Sequence, residues 1–273
     1  MKIVAVVLIV MVVLYFGYKK LNLTEEKEMS VKIEKTAKVS HGDHWGAMYG
    51  FSEDTEHKVN ESFDELELQE VLSDNLALYH SSYGQIENIA IVKDKELLTL
   101  FPQLLTKKTL PITLKSIVEW TPTDGLEAHI KGSGRDTFGL GFFATDYAKN
   151  REIYKKGGTL EIALSAFAYV VEKGGMSDSN ESSEVLFAED FCGYFPSQEI
   201  DDGYGFEFIG KLLSIETMNY RDEKFYIMEV KLINDNELEF ILPMAVNVKN
   251  VRDEKIEVGD SISGVFWLQG RIL

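Results

Sequence analysis

Two histidines three residues apart, in His41-Gly42-Asp43-His44-Trp45, are the residues best suited by type to do chemistry in this chain. Two imidazoles and a carboxylate are ligand types for zinc or a related divalent metal. The spacing is not the i, i+4 pair of a zincin helix, however, and no glutamate stands where that motif needs one. Because the segment lies in a polar stretch, it reads as an exposed loop without a metal. Asp201, Asp202 and Glu207 offer oxygen ligands of the kind calcium takes, but the EF-hand order is absent and Gly203-Tyr204-Gly205 marks a turn. These three acids read instead as a candidate partner-binding site.

Other motifs point away from catalysis. Gly132-Ser133-Gly134 and Gly139-Leu140-Gly141 lack the strand-to-helix setting of a dinucleotide loop, and no Lys-Ser/Thr pair follows. A hairpin turn over Gly132–Arg135 and a bulge at Gly139–Gly141 account for them. No G-x-S-x-G elbow marks a serine nucleophile. Cys192 sits between aromatic residues and reads as a small packed hydrophobe, and His129 reads as a structural strand residue. Catalytic residues, a cofactor and a metal are therefore not expected, although a hydrolase with a hidden site stays open as an alternative.

The elements that must position these residues start with an apolar run. From Ile3 to Tyr18 no charge interrupts the chain, Lys2, Lys19 and Lys20 flank it, and no small-x-small cleavage site follows. Residues 1–21 are thus expected to be an uncleaved transmembrane anchor in a bacterial inner (plasma) membrane, single-pass, with the soluble part extracytoplasmic. Residues 22–60 are polar and read as a stalk. Ser62-Phe63-Asp64-Glu65 has capping-box spacing, and Phe63, Leu66, Val71, Leu72, Leu76 and Tyr79 approximate a helical face. With a second short helix over Lys95–Leu105, residues 61–110 read as a helical region.

After Pro111 the residues turn β-branched and aromatic. Strands are expected over Leu114–Trp120, Leu126–Lys131, Thr137–Ala144, Thr159–Leu164 and Phe167–Val171, with a helix over Asp146–Lys156. A second series follows over Phe206–Glu216, Lys224–Leu232, Leu238–Leu242, Ser261–Phe266 and Leu268–Ile272. Four consecutive apolar residues, Val265 to Leu268, predict that Trp267 is buried. Three strands, a helix and two strands is the order of an OB-fold. Gly157–Tyr169 also overlays Gly259–Arg271 at an offset of 102. The expected fold is mainly β with some α: an N-terminal membrane helix, a short helical region, then two OB-like small β-barrel units. These units span 111–175 and 206–273, joined by an acidic linker over 176–205.

At GRDTFGLGFFATDY (Gly134–Tyr147), LSAFAY (Leu164–Tyr169) and VGDSISGVFWLQG (Val258–Gly270), the sequence resembles uncharacterised bacterial proteins with tandem OB-like β modules. The resemblance covers residues 110–273. It implies a recurring module and no particular chemistry.

Charge sets the class of partner. The chain carries −17, and while residues 85–175 hold twelve basic and eleven acidic side chains, residues 176–273 hold eight and twenty. From Gly174 to Gly210 there are nine acids and no base. The first unit's Arg135, Lys149, Arg151, Lys155 and Lys156 interleave with aromatics, yet phosphate binding needs a cationic surface that this balance does not provide. No nucleic acid is expected. A protein partner fits, and so does an immunity or inhibitor protein whose acidic unit blocks a basic toxin or enzyme.

Overall fold

Backbone at Asp94, Lys95 and Arg221 is left-handed, with φ of 53°, 69° and 51°, and Gly84 has φ 65°. Each lies in a two-residue connection between antiparallel strands, where positive φ matches the strands' own twist. The structure, a computed structural model, describes residues 31–50, 52–134, 137–174, 191–197, 205–234, 239–252 and 255–273. It is mainly β. Two-residue turns fold β2 (Glu67–Ser73), β3 (Leu76–Tyr83), β4 (Ile86–Lys93) and β5 (Glu96–Leu104) into a four-stranded antiparallel meander.

That sheet stands where the sequence predicts helices, so the helical region over 61–110 is corrected. Turn pairs Asp74-Asn75, Gly84-Gln85 and Asp94-Lys95 recur every ten residues. They cut the chain into pieces of a strand's length, and the loose helical spacing of the apolar residues is overridden. The capping-box residues close a helix instead of opening one. Helix α2 (Thr55–Glu61) ends there, and Ser62 Oγ donates to the Lys58 carbonyl at 3.0 Å. The stalk is also corrected from residue 31 onward. Strand β1 (Lys32–Thr36) pairs in parallel with β6 (Thr109–Trp120), and helix α1 (Gly42–Tyr49) buries Trp45, Ala47, Met48 and Tyr49. Four apolar side chains in eight residues make this a covering element. The predicted anchor, residues 1–21, lies outside the described residues; among the described residues no helix is long and apolar enough to cross a membrane. Most of the predicted acidic linker also lies outside them, and its described part forms β10 (Gly193–Pro196).

The larger sheet adds β7 (Ala128–Gly134), β8 (Phe138–Ala144), β9 (Thr159–Lys173), β11 (Gly205–Tyr220), β12 (Glu223–Asn234), β13 (Glu239–Asn247) and β14 (Ser261–Ile272). Gly139 and Gly141 sit in regular register with β7, so the predicted bulge is absent there. Its pairings close into two five-stranded circuits, β6-β7-β8-β14-β9-β6 and β11-β12-β13-β9-β14-β11. In each, the third strand runs parallel to the fifth (β8 with β14, β13 with β9) and the other neighbours are antiparallel. Helix α3 (Tyr147–Lys156) follows the third strand of the first circuit, and a 3-10 turn, Val248–Asn250, follows that of the second.

The two circuits are register-equivalent. Shifting β6 and β7 by 98 and β8 and β9 by 102 turns Thr113↔Ser133 into Lys211↔Lys231, and Phe143↔Gln269 into Ala245↔Phe167. Even the register slips coincide, between Leu114 and Ser116 and between Leu212 and Ser214. Leu268 pairs with Ala166, its own equivalent at the offset of 102, so a pseudo-twofold axis passes between them. The chain departs from two tandem blocks in one respect. The sequence divides Thr159–Val171 and Ser261–Ile272 into two strands each, whereas β9 and β14 are single long strands that serve both circuits. The fourth strand of each circuit is the fifth of the other, and neither block closes alone.

Alternation along these strands divides the core. Phe142, Ala166 and Phe266 join one apolar cluster, and their neighbours Phe143, Phe167 and Trp267 join a second with α1 and the meander. Buried side chains fasten the meander to the circuits. Gln269 accepts from Leu104 N–H at 3.2 Å and donates to the Pro102 carbonyl at 2.6 Å, while Ser165 donates to the Leu104 carbonyl at 2.8 Å.

Candidate functional site

Helix α1 stops at Gly50, which is left-handed at φ 76° and returns its N–H to the Gly46 carbonyl at 2.8 Å. Its N-terminal end carries His41 and His44 into the space between the circuits and the meander. His41 Nε2 lies 2.6 Å from Glu127 Oε1, and His41 Nδ1 lies 2.9 Å from His44 Nδ1. Thr99 on β5 donates to the same Glu127 oxygen at 3.1 Å. The His41 side chain is 8% exposed and that of Glu127 1%, so the predicted exposed loop keeps Ser40 and Gly42 at the surface but turns its histidine side chains into the interior. Around it the His41 ring meets Trp120 at 4.8 Å, Phe143 at 5.0 Å and Phe101 at 5.3 Å between centroids, and His44 stacks on Trp267 at 3.8 Å.

His129, on β7, completes the group. It is fully buried and its Nδ1 accepts the Trp120 indole N–H at 3.2 Å. Burial, then the His44 and His41 rings, push its imidazole well below the ordinary range. With Glu127 ionised, His41 donates from Nε2 and accepts at Nδ1 from His44, a tautomer pair assigned from the hydrogen bonds. Glu127 Oε2 is buried with no hydrogen-bond partner among the described residues. The arrangement is a short proton chain ending on a carboxylate. Among the described residues no group of three ligand-type side chains is arranged to hold a metal ion.

Two other carboxylates act as fasteners. Glu223, 3% exposed, meets Lys58 of α2 at 2.5 Å and Lys249 at 2.7 Å, and Asn247 donates to it at 3.0 Å. Burial alone would raise this carboxyl, but the two ammoniums and the amide outweigh it and hold it at about 2. Glu119 on β6 accepts from Tyr147 at 2.9 Å and from Arg151 at 2.7 Å, with Lys155 at 3.1 Å. Arg151 and Lys155, two bases that the sequence sets beside aromatics, thus converge on an internal carboxylate.

Of the three acids in the predicted partner site, Asp201 and Asp202 lie outside the described residues. Glu207 is half-buried on β11, opposite Phe195 of β10 on one side and Val265 of β14 on the other, with Ser197 Oγ 3.4 Å from its carboxylate. Cys192 is partly buried beside a hollow of about 200 Å³ lined also by Phe191, Lys211 and Lys231. Trp267 is fully buried, as its apolar setting predicts. The sequence reading missed Glu127, Glu223 and Glu119. Glu119 carried a signal, standing between Val118 and Trp120 in a run otherwise typed for burial.

On the outer face of the meander, Leu68 and Val71 are 55% and 64% exposed along a shallow groove of about 470 Å³. Strand β2 is the sheet edge, and its two register slips, with Glu67 and Glu70 on the strand, discourage pairing with another chain.

No family model matches this chain, and neither a curated protein nor a solved structure does.

Proposed function

We propose that the protein is a non-enzymatic binding protein held at a bacterial inner membrane by residues 1–21, with an extracytoplasmic folded part that engages a protein partner. Each circuit is read as an OB-like barrel. Supporting this are the strand order 1-2-3-5-4-1, the parallel third and fifth strands, and the helix or 3-10 turn after the third. OB-like barrels serve many functions, so the binding role is argued from the side chains.

One observation carries the binding reading: interior polar groups join layers to one another. Glu127, Glu223 and Gln269 each bond across elements under cover of aromatic or aliphatic neighbours. The charge that is left to act outward is the acidic excess of residues 176–273, eight basic against twenty acidic side chains. Such a surface draws a basic partner and accelerates its encounter.

The test has two arms. Full-length protein should stay in carbonate-washed membranes, while a chain beginning at residue 22 should be soluble; a mature N-terminus near residue 25 would remove the anchor. A partner recovered from detergent-solubilised membranes should associate more slowly as salt rises toward a Debye length of about 8 Å. Neutralising Asp201, Asp202 and Glu207 together should reduce both the rate and its salt slope. Identical rates and slopes would move the contact off the acidic unit.

A further inference from the structure

Internal symmetry exposes one strand edge that the first circuit covers and the second leaves open. In the first, Leu114 N–H donates to the Gly158 carbonyl at 2.9 Å, and beyond that bond β1 lies parallel along Ser116–Trp120 of β6. In the second, the equivalent Leu212 N–H donates to the Asp260 carbonyl at 3.0 Å. Beyond it, among the described residues, no strand lies along that side of Ser214–Asn219 of β11. Ile117 is wholly buried beside β1, whereas its equivalent Ile215 is only partly buried, and Glu216, Thr217 and Asn219 are exposed. Pairing with β12 is regular from Ser214 opposite Glu229 to Tyr220 opposite Glu223. Alternate residues of this stretch therefore turn their N–H and C=O groups toward the open side.

We propose that Ser214–Met218 of β11 is a docking edge for an extended segment of a protein partner, added in parallel as β1 is on β6, with a lysine or arginine of that segment opposite Glu216.

Strand β1 shows the geometry, and the charges choose the occupant. On β1, Glu34 stands opposite Val118, and Lys32 stands opposite Ser116 in the row that continues to Lys131 on β7. Lys32, and to a smaller extent Lys131, holds the Glu34 carboxyl below its ordinary range. In the second circuit acids take these places. Glu216 occupies the position of Val118, and Glu229 that of Lys131. Lys108 reaches Glu229, which leaves Glu216 as the acid facing an incoming strand. Opposite charges across a strand pair favour pairing and like charges oppose it. A glutamate at the Glu34 position would therefore be repelled, so β1 of a second copy is the wrong occupant, and a base there would pair. Val31, 7% exposed, enters the first apolar cluster beside β6. The matching segment thus carries an apolar residue three positions before its base. Main-chain bonds to the open edge supply affinity in such an addition, and side chains supply the selection.

The probes are two fluorescent peptides of residues 30–37, one with the native sequence and one with Glu34→Lys, titrated against the full chain in detergent micelles. The lysine peptide should bind about 5-fold more tightly, and Glu216→Lys in the protein should reverse the order. Bound peptide should slow amide exchange at residues 214–219 and leave 116–120 unchanged. N-methylation of alternate peptide residues should abolish binding in one phase and spare it in the other, because an added strand uses every second amide on one side. Equal affinity of the two peptides, an order that Glu216→Lys does not reverse, or equal effects of the two N-methyl phases would overturn the docking edge. Failure of both peptides to bind at millimolar concentration would also overturn it and leave Glu216 as a guard against strand addition. No partner need be identified for this test, so its failure is distinguishable from failure of the acidic-surface reading.

Discussion

Equivalent positions in the two circuits exchange a glycine for a branched residue, and this exchange gives a sharp test of the internal symmetry. In the first circuit Ile112 on β6 lies beside Gly132 on β7, where a Cβ at position 132 would come within 2.6 Å of Ile112 Cγ2. In the second, Gly210 takes the Ile112 position and Val230 the Gly132 position; a Cβ on Gly210 would come within 2.6 Å of Val230 Cγ1 and 2.7 Å of the Lys231 carbonyl. One branched side chain fills the space each time, from opposite strands. Gly210→Ala should therefore overpack the core and cost about 1–3 kcal/mol. Val230→Gly removes three buried carbons and should cost about 2 kcal/mol or more. Together they should cost less than the sum by about 1–2 kcal/mol, because the added methyl enters space that the valine has left. Urea unfolding of the four proteins in the cycle measures the coupling. Additivity to within about 0.5 kcal/mol would show that the two sites do not share one space, and the symmetry argument would lose its packing basis.

Trp267→Ala should lower stability by about 3–5 kcal/mol, since the ring is wholly buried and stacked on His44; unchanged thermal unfolding would place it at a surface instead. Glu223→Gln tests the fastening of α2. The folded carboxyl sits at about 2, below its ordinary 4.5, so its contribution is present above pH 4.5 and is lost as pH falls toward 2. That contribution amounts to about 3 kcal/mol at neutral pH. Wild type and variant should therefore differ at pH 7 and converge only as pH falls to about 2, and an equal difference at both would refute the linkage.

Much of the larger sheet was legible because its strands are rich in β-branched and aromatic residues and its turns carry glycine. Helix α3 was legible too, since Gly157 and Gly158 close it after a run of helix formers. The meander was misread because its alternation is weak: β4 and β5 are buried on both faces, so their apolar residues run together without a strand period. The better signal was the ten-residue spacing of the turn pairs. The buried histidine cluster could not be read at all. His41 and Glu127 are 86 residues apart, and only the folding of the polar N-terminal segment against the start of β7 brings them within hydrogen-bond reach.

Sharing β9 and β14 has a further consequence for how the molecule behaves. A tandem pair of barrels could open one unit while the other stayed closed, but here removing either shared strand breaks both circuits. The pairing of β9 with β14 runs from Ile162 opposite Ile272 to Lys173 opposite Ile262, so the seam extends along most of both strands. The two halves must gain and lose their cores together, and the acidic half is held in fixed register beside the nearly neutral one. Local opening is left to the layer that adds no strand to either circuit. That layer contains α1, joined to the circuits by titratable side chains and by Asn247 and Asn250, which donate to the Met48 and Ala47 carbonyls at 2.7 and 3.1 Å. An interlocked pair under a separate cover leaves α1, with His41 and His44 at its N-terminal end, as an element that can move without breaking either circuit.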